Sequence, residues 1–121
     1  MNRLRREVVK VFDHVDLIVL PARRSYTGKL EDFLKAQAAI TAESPLPRGF
    51  GDHSTPFSVF GLPAMCVPCG FTKEGLPVGI QIVGPHWGEA RVFALGRAFE
   101  QATEWHKRRP PLANTVAVNS I

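Results

Sequence analysis

Residues 61–84, GLPAMCVPCGFTKEGLPVGIQIVG, decide the fold because they hold two apolar segments separated by a short polar turn. The segments are Ala64–Phe71 and Val78–Val83, and the turn is Thr72–Gly75. Short runs rich in β-branched residues and bounded by Gly and Pro are typical of strands, and their nearly continuous apolar character predicts burial on both faces. The connection is too short for a parallel crossover, so we expect an antiparallel pair at the centre of a sheet.

Helices and one further strand are predicted on either side of this pair. The predicted elements are a helix over Asn2–Asp13, a strand over Asp16–Leu20, a helix over Leu30–Ile40, a short helix from Ser54 to about Phe60 and a helix over Glu89–Glu104. The helices follow from apolar residues at helical spacing, and Ser54-Thr55-Pro56 is a typical helix start. The segment Glu43–His53 is rich in Pro and Gly and is expected to be irregular. Strands alternating with helices predict an α/β fold.

Composition and length are those of one ordinary globular domain. The chain has 121 residues, of which 45% are apolar and 21% charged. No apolar run approaches the roughly 18 residues of a membrane span, so no membrane association is expected. Two cysteines and the lack of an export signal predict a reduced, cytoplasmic protein. The net charge of +4 comes largely from basic residues at the two ends. It makes nucleic-acid binding a weak hypothesis, because no recognised binding motif accompanies it.

Cys66-Val67-Pro68-Cys69 has the spacing of a thioredoxin-type redox pair. A redox cysteine of that type lies at a helix N-terminus, but here Gly70, Thr72 and Gly75 follow and no helix can begin. Residues three apart in a strand point to opposite faces, so the two sulfurs should diverge. We therefore interpret them as two buried thiols that pack as small hydrophobes. The four histidines are scattered without zinc-ligand spacing, so neither a metal nor another cofactor is predicted.

The stretch GLPAMCVPCGF, a short turn and then GLPVGIQIVG resembles the C-terminal region of the amidase signature family. Asp16–Pro21 (DLIVLP) resembles the preceding strand of that family, Thr55-Pro56-Phe57 its helix start, and Gly88–Trp105 its terminal helix, with Glu89 at a usually acidic position. Two residues depart from the family pattern: Ser58 stands where Asn is usual, and Cys66 where Ser or Thr is common. The resemblance implies part of a mixed-sheet α/β/α sandwich, with residues 1–121 forming a single partial domain.

The resemblance also implies which functional parts are present. The family takes its nucleophilic Ser, a second Ser and a Lys base from a Gly/Ser-rich segment well N-terminal to the region resembled here. None of the serines in this chain lies in a Gly-rich loop, so we predict no catalytic residue. Thr55, Gly79 and Gln81 correspond to the back of the family's substrate cleft and are candidate pocket-wall residues. A purely structural role competes for Thr55 as a helix cap and for Gln81 as a partner of backbone groups. A glycine within a strand, such as Gly79, predicts that another backbone or a ligand comes close.

Three hypotheses on function follow. The first is the C-terminal segment of an amidase-family hydrolase, inactive alone and able to complement a separate N-terminal amidase chain. The second is a non-catalytic module that self-associates or binds a partner through the surface that the N-terminal part would cover. The third and weakest is a basic nucleic-acid-binding domain. Uncovered strand edges and apolar side chains lead us to expect a homo-oligomer wherever a partner chain is lacking.

Overall fold

The computed structural model describes residues 2–23, 28–38 and 54–109. The elements, in chain order, are helix α1 (Asn2–Val9), a 3₁₀ helix (Lys10–Asp13), strand β1 (Ile18–Pro21), helix α2 (Leu30–Ala38), helix α3 (Ser54–Phe60), strands β2 (Ala64–Phe71) and β3 (Pro77–Val83), helix α4 (Glu89–Ala102) and a 3₁₀ helix (Trp105–Lys107). The predicted α/β class is confirmed, and most boundaries agree within two residues. The predicted irregular segment Glu43–His53 lies outside the described residues.

The three strands form one antiparallel sheet in the order β1-β3-β2. Strand β3 is central, and it pairs with β2 from Val83 opposite Ala64 to Pro77 opposite Phe71. Strand β1 pairs on the other side, with Ile18 opposite Val83. The predicted antiparallel pairing of β2 and β3 is therefore confirmed, with β3 central and β2 an outer strand of the described sheet. The resemblance implies a mixed sheet with parallel and antiparallel strands, of which these three antiparallel strands would be one part.

Helix α4 packs across one face of the sheet and forms the core with it. Ile82 is fully buried, and it clusters there with Val67 and Val92, which are almost completely buried. Leu95 and Phe99 continue the apolar stripe of the helix along the same face. Gly96 lies directly over Met65, so the helix backbone comes close to strand β2.

The expectation that both central strands are buried on both faces is wrong for β2. Its even-numbered residues Ala64, Cys66 and Pro68 are exposed, whereas Met65 and Val67 point towards α4 and are at least half-buried. The alternation arises because α4 covers only one face of this outer strand. Strand β3 is covered more completely, with its residues 81–83 buried.

Both outer strands of the described sheet carry a proline whose nitrogen faces away from β3. In β2, Gly84 donates its backbone N–H to the Pro63 carbonyl at 2.9 Å, so alternate positions of the strand, Pro68 among them, face outward. The bond from the Ala22 N–H to the Gly79 carbonyl, at 3.0 Å, places Pro21 of β1 in the same outward orientation. Proline is tolerated in a sheet at such outward positions because no ladder hydrogen bond is lost.

Helix α3 ends in a Schellman motif that fixes its junction with β2. Leu62 donates its N–H to the Phe57 carbonyl at 3.0 Å and Gly61 donates to the Ser58 carbonyl at 3.1 Å. Gly61 has a φ of +71°, a conformation that favours glycine. The Val59 carbonyl, left over by this motif, accepts hydrogen bonds from Nη2 and Nε of Arg5 at 2.7 and 3.2 Å. These bonds tie α1 to the end of α3.

Candidate functional site

Gly79 lies in the middle of β3, opposite Pro68. A Cβ added at this position would lie 3.3 Å from the Val67 carbonyl oxygen and 3.7 Å from the Cβ of Ala22. The sequence predicted that a backbone or a ligand comes close to Gly79, and the structure shows the backbone of the neighbouring strand there. The close approach explains why a glycine occupies this central strand position.

Gln81 lies two residues further along the strand, on the same face as Gly79 and opposite to α4. Its cross-strand neighbours are Leu20 and Cys66, and only 2% of its surface is exposed. No hydrogen-bond donor among the described residues reaches its Oε1 atom, which is fully buried. A buried carbonyl oxygen without a donor loses the hydrogen bonds that it makes with water in the unfolded chain, so this amide is a costly group to retain.

Thr55 occupies the second position of α3, and its side chain lies outside the described residues. Helix α3 itself contacts strand β2. The structure therefore brings two of the three predicted site residues, Gly79 and Gln81, onto one face of one strand. Their role in a substrate pocket stays a prediction.

Cys66 and Cys69 are not joined in a disulfide. The expectation that both are buried is wrong, because Cys66 is exposed and Cys69 is half-buried. Cys66 is exposed because it lies on the face of β2 that α4 does not cover. Cys69 lies in a β-bulge: Pro68 pairs with Gly79 but Gly70 pairs with Val78, so Cys69 is an extra residue in β2. A bulge bends the strand locally and redirects its side chains, which a uniform alternation along the sequence does not anticipate.

Three of the described lysines are engaged by glutamates. Lys10 donates to Glu7 at 2.9 Å, Lys35 to Glu31 at 2.8 Å, and Lys107 to Glu104 at 2.6 Å. Each pair joins residues three or four apart in the chain, and all six side chains are largely exposed. In these pairs the lysine ammonium donates to a carboxylate and not to a serine hydroxyl, the contact that a lysine base of a serine nucleophile would make.

A polar cleft of about 340 Å³ lies at the C-terminal end of α4, and no pattern in the sequence indicated it. Its lining residues are mostly charged or polar: Arg97, Glu100, Gln101, Thr103, Glu104, His106 and Lys107. The hydrogen bond from Lys107, together with its positive charge, lowers the pKa of Glu104. Arg97 and Lys107 supply two positive charges and Glu100 and Glu104 two negative charges, so the formal charges of these four side chains sum to zero.

The turn that joins β2 to β3 contains a second carboxyl group with a shifted pKa. The Thr72 hydroxyl donates a hydrogen bond to the Glu74 carboxylate, and this bond, followed by the backbone N–H of Glu74, lowers its pKa. The same hydroxyl accepts the Leu76 N–H at 3.2 Å, and the Leu76 carbonyl accepts the Thr72 N–H at 2.8 Å. Thr72 therefore organises the turn.

Residues 2–23, 28–38 and 54–109 contain no group of three or more histidine, cysteine or carboxylate side chains arranged to hold a metal ion. The helices in these ranges are each too short or too polar to cross a bilayer.

The chain matches the family model described as Amidase over residues 1–93. It is 37% identical over 110 residues to the A-subunit of the glutamyl-tRNA(Gln) amidotransferase of Rippkaea orientalis (strain PCC 8801 / RF-1), a match that covers 90% of this chain and 21% of that relative. It is 39% identical over 110 residues to the corresponding protein of Synechococcus sp. (strain JA-2-3B'a(2-13)), covering 90% of this chain and 20% of the relative. The chain thus spans about a fifth of the length of these curated relatives.

The fold is also similar to solved structures. The 6-aminohexanoate cyclic dimer hydrolase complexed with substrate superimposes with a TM-score of 0.74 and 27% sequence identity, covering 92% of this chain and 24% of the hydrolase. A second structure of this hydrolase gives a TM-score of 0.75 at 27% identity, covering 93% and 25% of the respective chains. The arrangement of helices and strands described above therefore occurs as one part of a longer hydrolase chain.

Proposed function

This chain belongs to the amidase family, and from this membership we propose that it is the C-terminal segment of an amidase-family hydrolase, which cleaves the C–N bond of carboxamides. The observation that carries the proposal is that most of the chain matches the family while spanning only about a fifth of its relatives. The similarity in fold to a quarter of a solved hydrolase supports it independently. On this proposal residues 1–121 are a partial domain.

The role proposed for this segment is to complete the scaffold and one wall of the substrate pocket. Gly79 and Gln81 share the sheet face opposite α4, and Thr55 belongs to the helix that leads into β2. The face on which Gly79 and Gln81 lie is the one proposed to line the pocket. The nucleophile and its base would come from the preceding part of the amidase, in keeping with the resemblance, which implies that the family takes them from a Gly/Ser-rich segment N-terminal to the region matched by this chain.

The proposed partner is accordingly a separate N-terminal amidase chain, and without it a second copy of this chain. A cytoplasmic location is part of the proposal, in keeping with two cysteines that form no disulfide. Neither a cofactor nor a metal is assigned a role, because amide cleavage by a serine nucleophile with a lysine base requires neither.

The experiment is a complementation assay. The four-fifths of the R. orientalis relative that this chain does not match is expressed with an affinity tag, alone and together with this chain. We expect the two polypeptides to purify together, and the pair to hydrolyse members of a panel of simple aryl and aliphatic amides. This chain alone should show no turnover above buffer.

Two results would contradict the proposal. One is hydrolysis by this chain alone that disappears when a single Ser or Cys is replaced, because it would place the nucleophile in this chain. The other is a complete lack of association between the two polypeptides when both are folded, which would favour the hypothesis of a self-associating module.

A further inference from the structure

Trp87 is the most exposed of the large apolar side chains in the described part of the chain, with 93% of its surface accessible. It lies in the turn between β3 and α4, where its backbone has a φ of +62°. Among residues other than glycine this left-handed conformation is uncommon, and where it occurs asparagine and aspartate are enriched. A bulky aromatic residue there is unfavourable for both backbone and solvation, and neither cost is offset by contacts within the described residues.

Two further exposed apolar side chains lie at the same end of the sheet. Strand β3 ends opposite the first residues of β1 and β2, so the turn with Trp87, the segment before β1 and the end of α3 come together there. The segment before β1 contributes Val15, and the end of α3 contributes Val59; they are 42% and 39% exposed.

Specific contacts hold these three segments in place. Arg91, in the first turn of α4, forms an ion pair of 3.2 Å with Asp16, the neighbour of Val15. A Cβ added at Gly61, at the end of α3, would lie 3.8 Å from Cε1 of His86, the neighbour of Trp87. The hydrogen bond from the Gly84 N–H to the Pro63 carbonyl also joins the turn to the junction of α3 and β2, and such links reduce the entropy lost when a partner binds.

We propose that this end of the sheet, with Val15, Val59 and Trp87, is the surface on which the catalytic part of an amidase docks, with Trp87 entering an apolar pocket of that part. The inference rests on the proposed function and adds the place of contact. In the solved hydrolases the same substructure belongs to a chain about four times as long, so most of that chain is available to cover such a surface. Buried tryptophans are typical anchors of protein interfaces.

Charge favours this occupant over a second copy of the chain. Arg5 binds the Val59 carbonyl while remaining exposed, and Arg3 and Arg6 are exposed beside it on α1. In a symmetric dimer that paired the Val59 regions of two copies, the two Arg5 guanidinium groups would approach each other, and such juxtaposition of like charges disfavours association. The docking segment should accordingly carry acidic residues around its apolar pocket.

The test compares two variants in the co-expression experiment with the tagged four-fifths of the R. orientalis relative. Trp87→Asn removes the proposed anchor and places at this position a residue that tolerates the left-handed backbone. Phe93→Gln is the matched control, because Phe93 is an exposed aromatic residue (65%) on α4, beside the β2 edge and away from the proposed surface.

We expect Trp87→Asn to reduce the amount of chain that purifies with the tagged protein by about tenfold or more. The same substitution should leave the melting temperature of this chain alone unchanged or raised, because it relieves backbone strain and removes a side chain that buries almost nothing. Phe93→Gln should keep association close to that of the unsubstituted chain. Fluorotryptophan incorporated into this chain should give a fluorine NMR signal for Trp87 that is sensitive to solvent in the chain alone and insensitive in the pair.

The outcomes separate the two proposals. If the unsubstituted chain associates and Trp87→Asn associates equally well, the docking surface is wrong and the proposed function stands. If Phe93→Gln weakens association as much as Trp87→Asn, or if Trp87→Asn lowers the melting temperature of the chain alone, the assignment of this surface is overturned. If the unsubstituted chain does not associate, both proposals fail.

Discussion

Replacement of Gly84 by alanine should destabilise the chain by about 1–3 kcal/mol, the usual cost of overpacking a tight core site. Gly84 is buried directly after β3, where an added Cβ would lie 2.8 Å from Cγ2 of Val92 and 3.2 Å from the Gly88 carbonyl oxygen. Neither neighbour can move cheaply. Val92 is β-branched and only 3% exposed, and the second atom belongs to the backbone.

Urea unfolding followed by circular dichroism measures this cost. Thermal unfolding gives a second measure. A decrease of 1 kcal/mol in the free energy of unfolding lowers the melting temperature by roughly 4–8 °C in a domain of somewhat smaller size, so we expect the melting temperature to fall by several degrees. Gly96→Ala is the matched control, because the added Cβ would meet the tip of the Met65 side chain. That tip can move into an open cleft of about 380 Å³ between α4 and β2, which Phe93 and Arg97 also line. The gain of about 1 kcal/mol in helix propensity offsets this rearrangement, so Gly96→Ala should leave the stability nearly unchanged.

A double-mutant cycle identifies the physical cause. Val92→Ala alone should cost about 1–3 kcal/mol, because it removes buried methyl groups. In the double variant the clash of the added Cβ with Cγ2 of Val92 is absent and only the contact with the Gly88 carbonyl remains, so the combined cost should fall short of the sum by about 1 kcal/mol. Strictly additive costs, or a Gly84→Ala variant as stable as the unsubstituted chain, would refute the reasoning from steric contact.

Three further predictions concern thiols, a turn carboxylate and assembly. Thiol titration without reductant should find two reactive groups after unfolding, with Cys66 reacting already in the folded chain; recovery of a stable Cys66–Cys69 disulfide would contradict the bulged strand. Thr72→Val should raise the pKa of Glu74 as measured by NMR, whereas Thr72→Ser should preserve the lowered pKa. Because the pKa is lowered in the folded state, the stability that this hydrogen bond contributes is present at neutral pH and is lost as the pH falls through that pKa. Light scattering at micromolar concentration should show a dimer or larger assembly of the isolated chain, and a monodisperse monomer would refute that expectation.

The sequence predicted the hairpin well because local signals agree there. Ala64–Phe71 was predicted to the residue, since Gly and Pro bound a run of apolar residues and the turn is too short for any connection but a hairpin. The exposure of β2 was not predictable from the same residues. An apolar strand has the same pattern whether its second face is covered by this chain or is left for other residues to cover.

The candidate site was predicted only in part. Gly79 correctly indicated that another backbone comes close. Glycine weakens the interior of a strand, so it is typically found there where a neighbouring group occupies the space of a side chain. Nothing in the pattern around Gln81 indicated a buried carbonyl oxygen that no donor among the described residues reaches, since that depends on which groups surround the amide in space. The left-handed backbone conformation of Trp87 was also not predicted, because it too depends on the three-dimensional arrangement of the turn. An aromatic residue in a short turn between Gly84 and Gly88 was nevertheless a usable signal.

The prolines on the outer strands affect the tendency of the chain to aggregate before it associates with a partner. Before it associates with a partner or with the rest of a longer chain, a polypeptide with exposed apolar side chains can form fibrils. In such fibrils the exposed sheet edges of different molecules pair with one another. Pro21 and Pro68 each remove an outward backbone donor, and the bulge after Pro68 breaks the regular spacing that a stacking strand would need. The chain can therefore expose an apolar surface for docking while its sheet edges remain poor templates for aggregation.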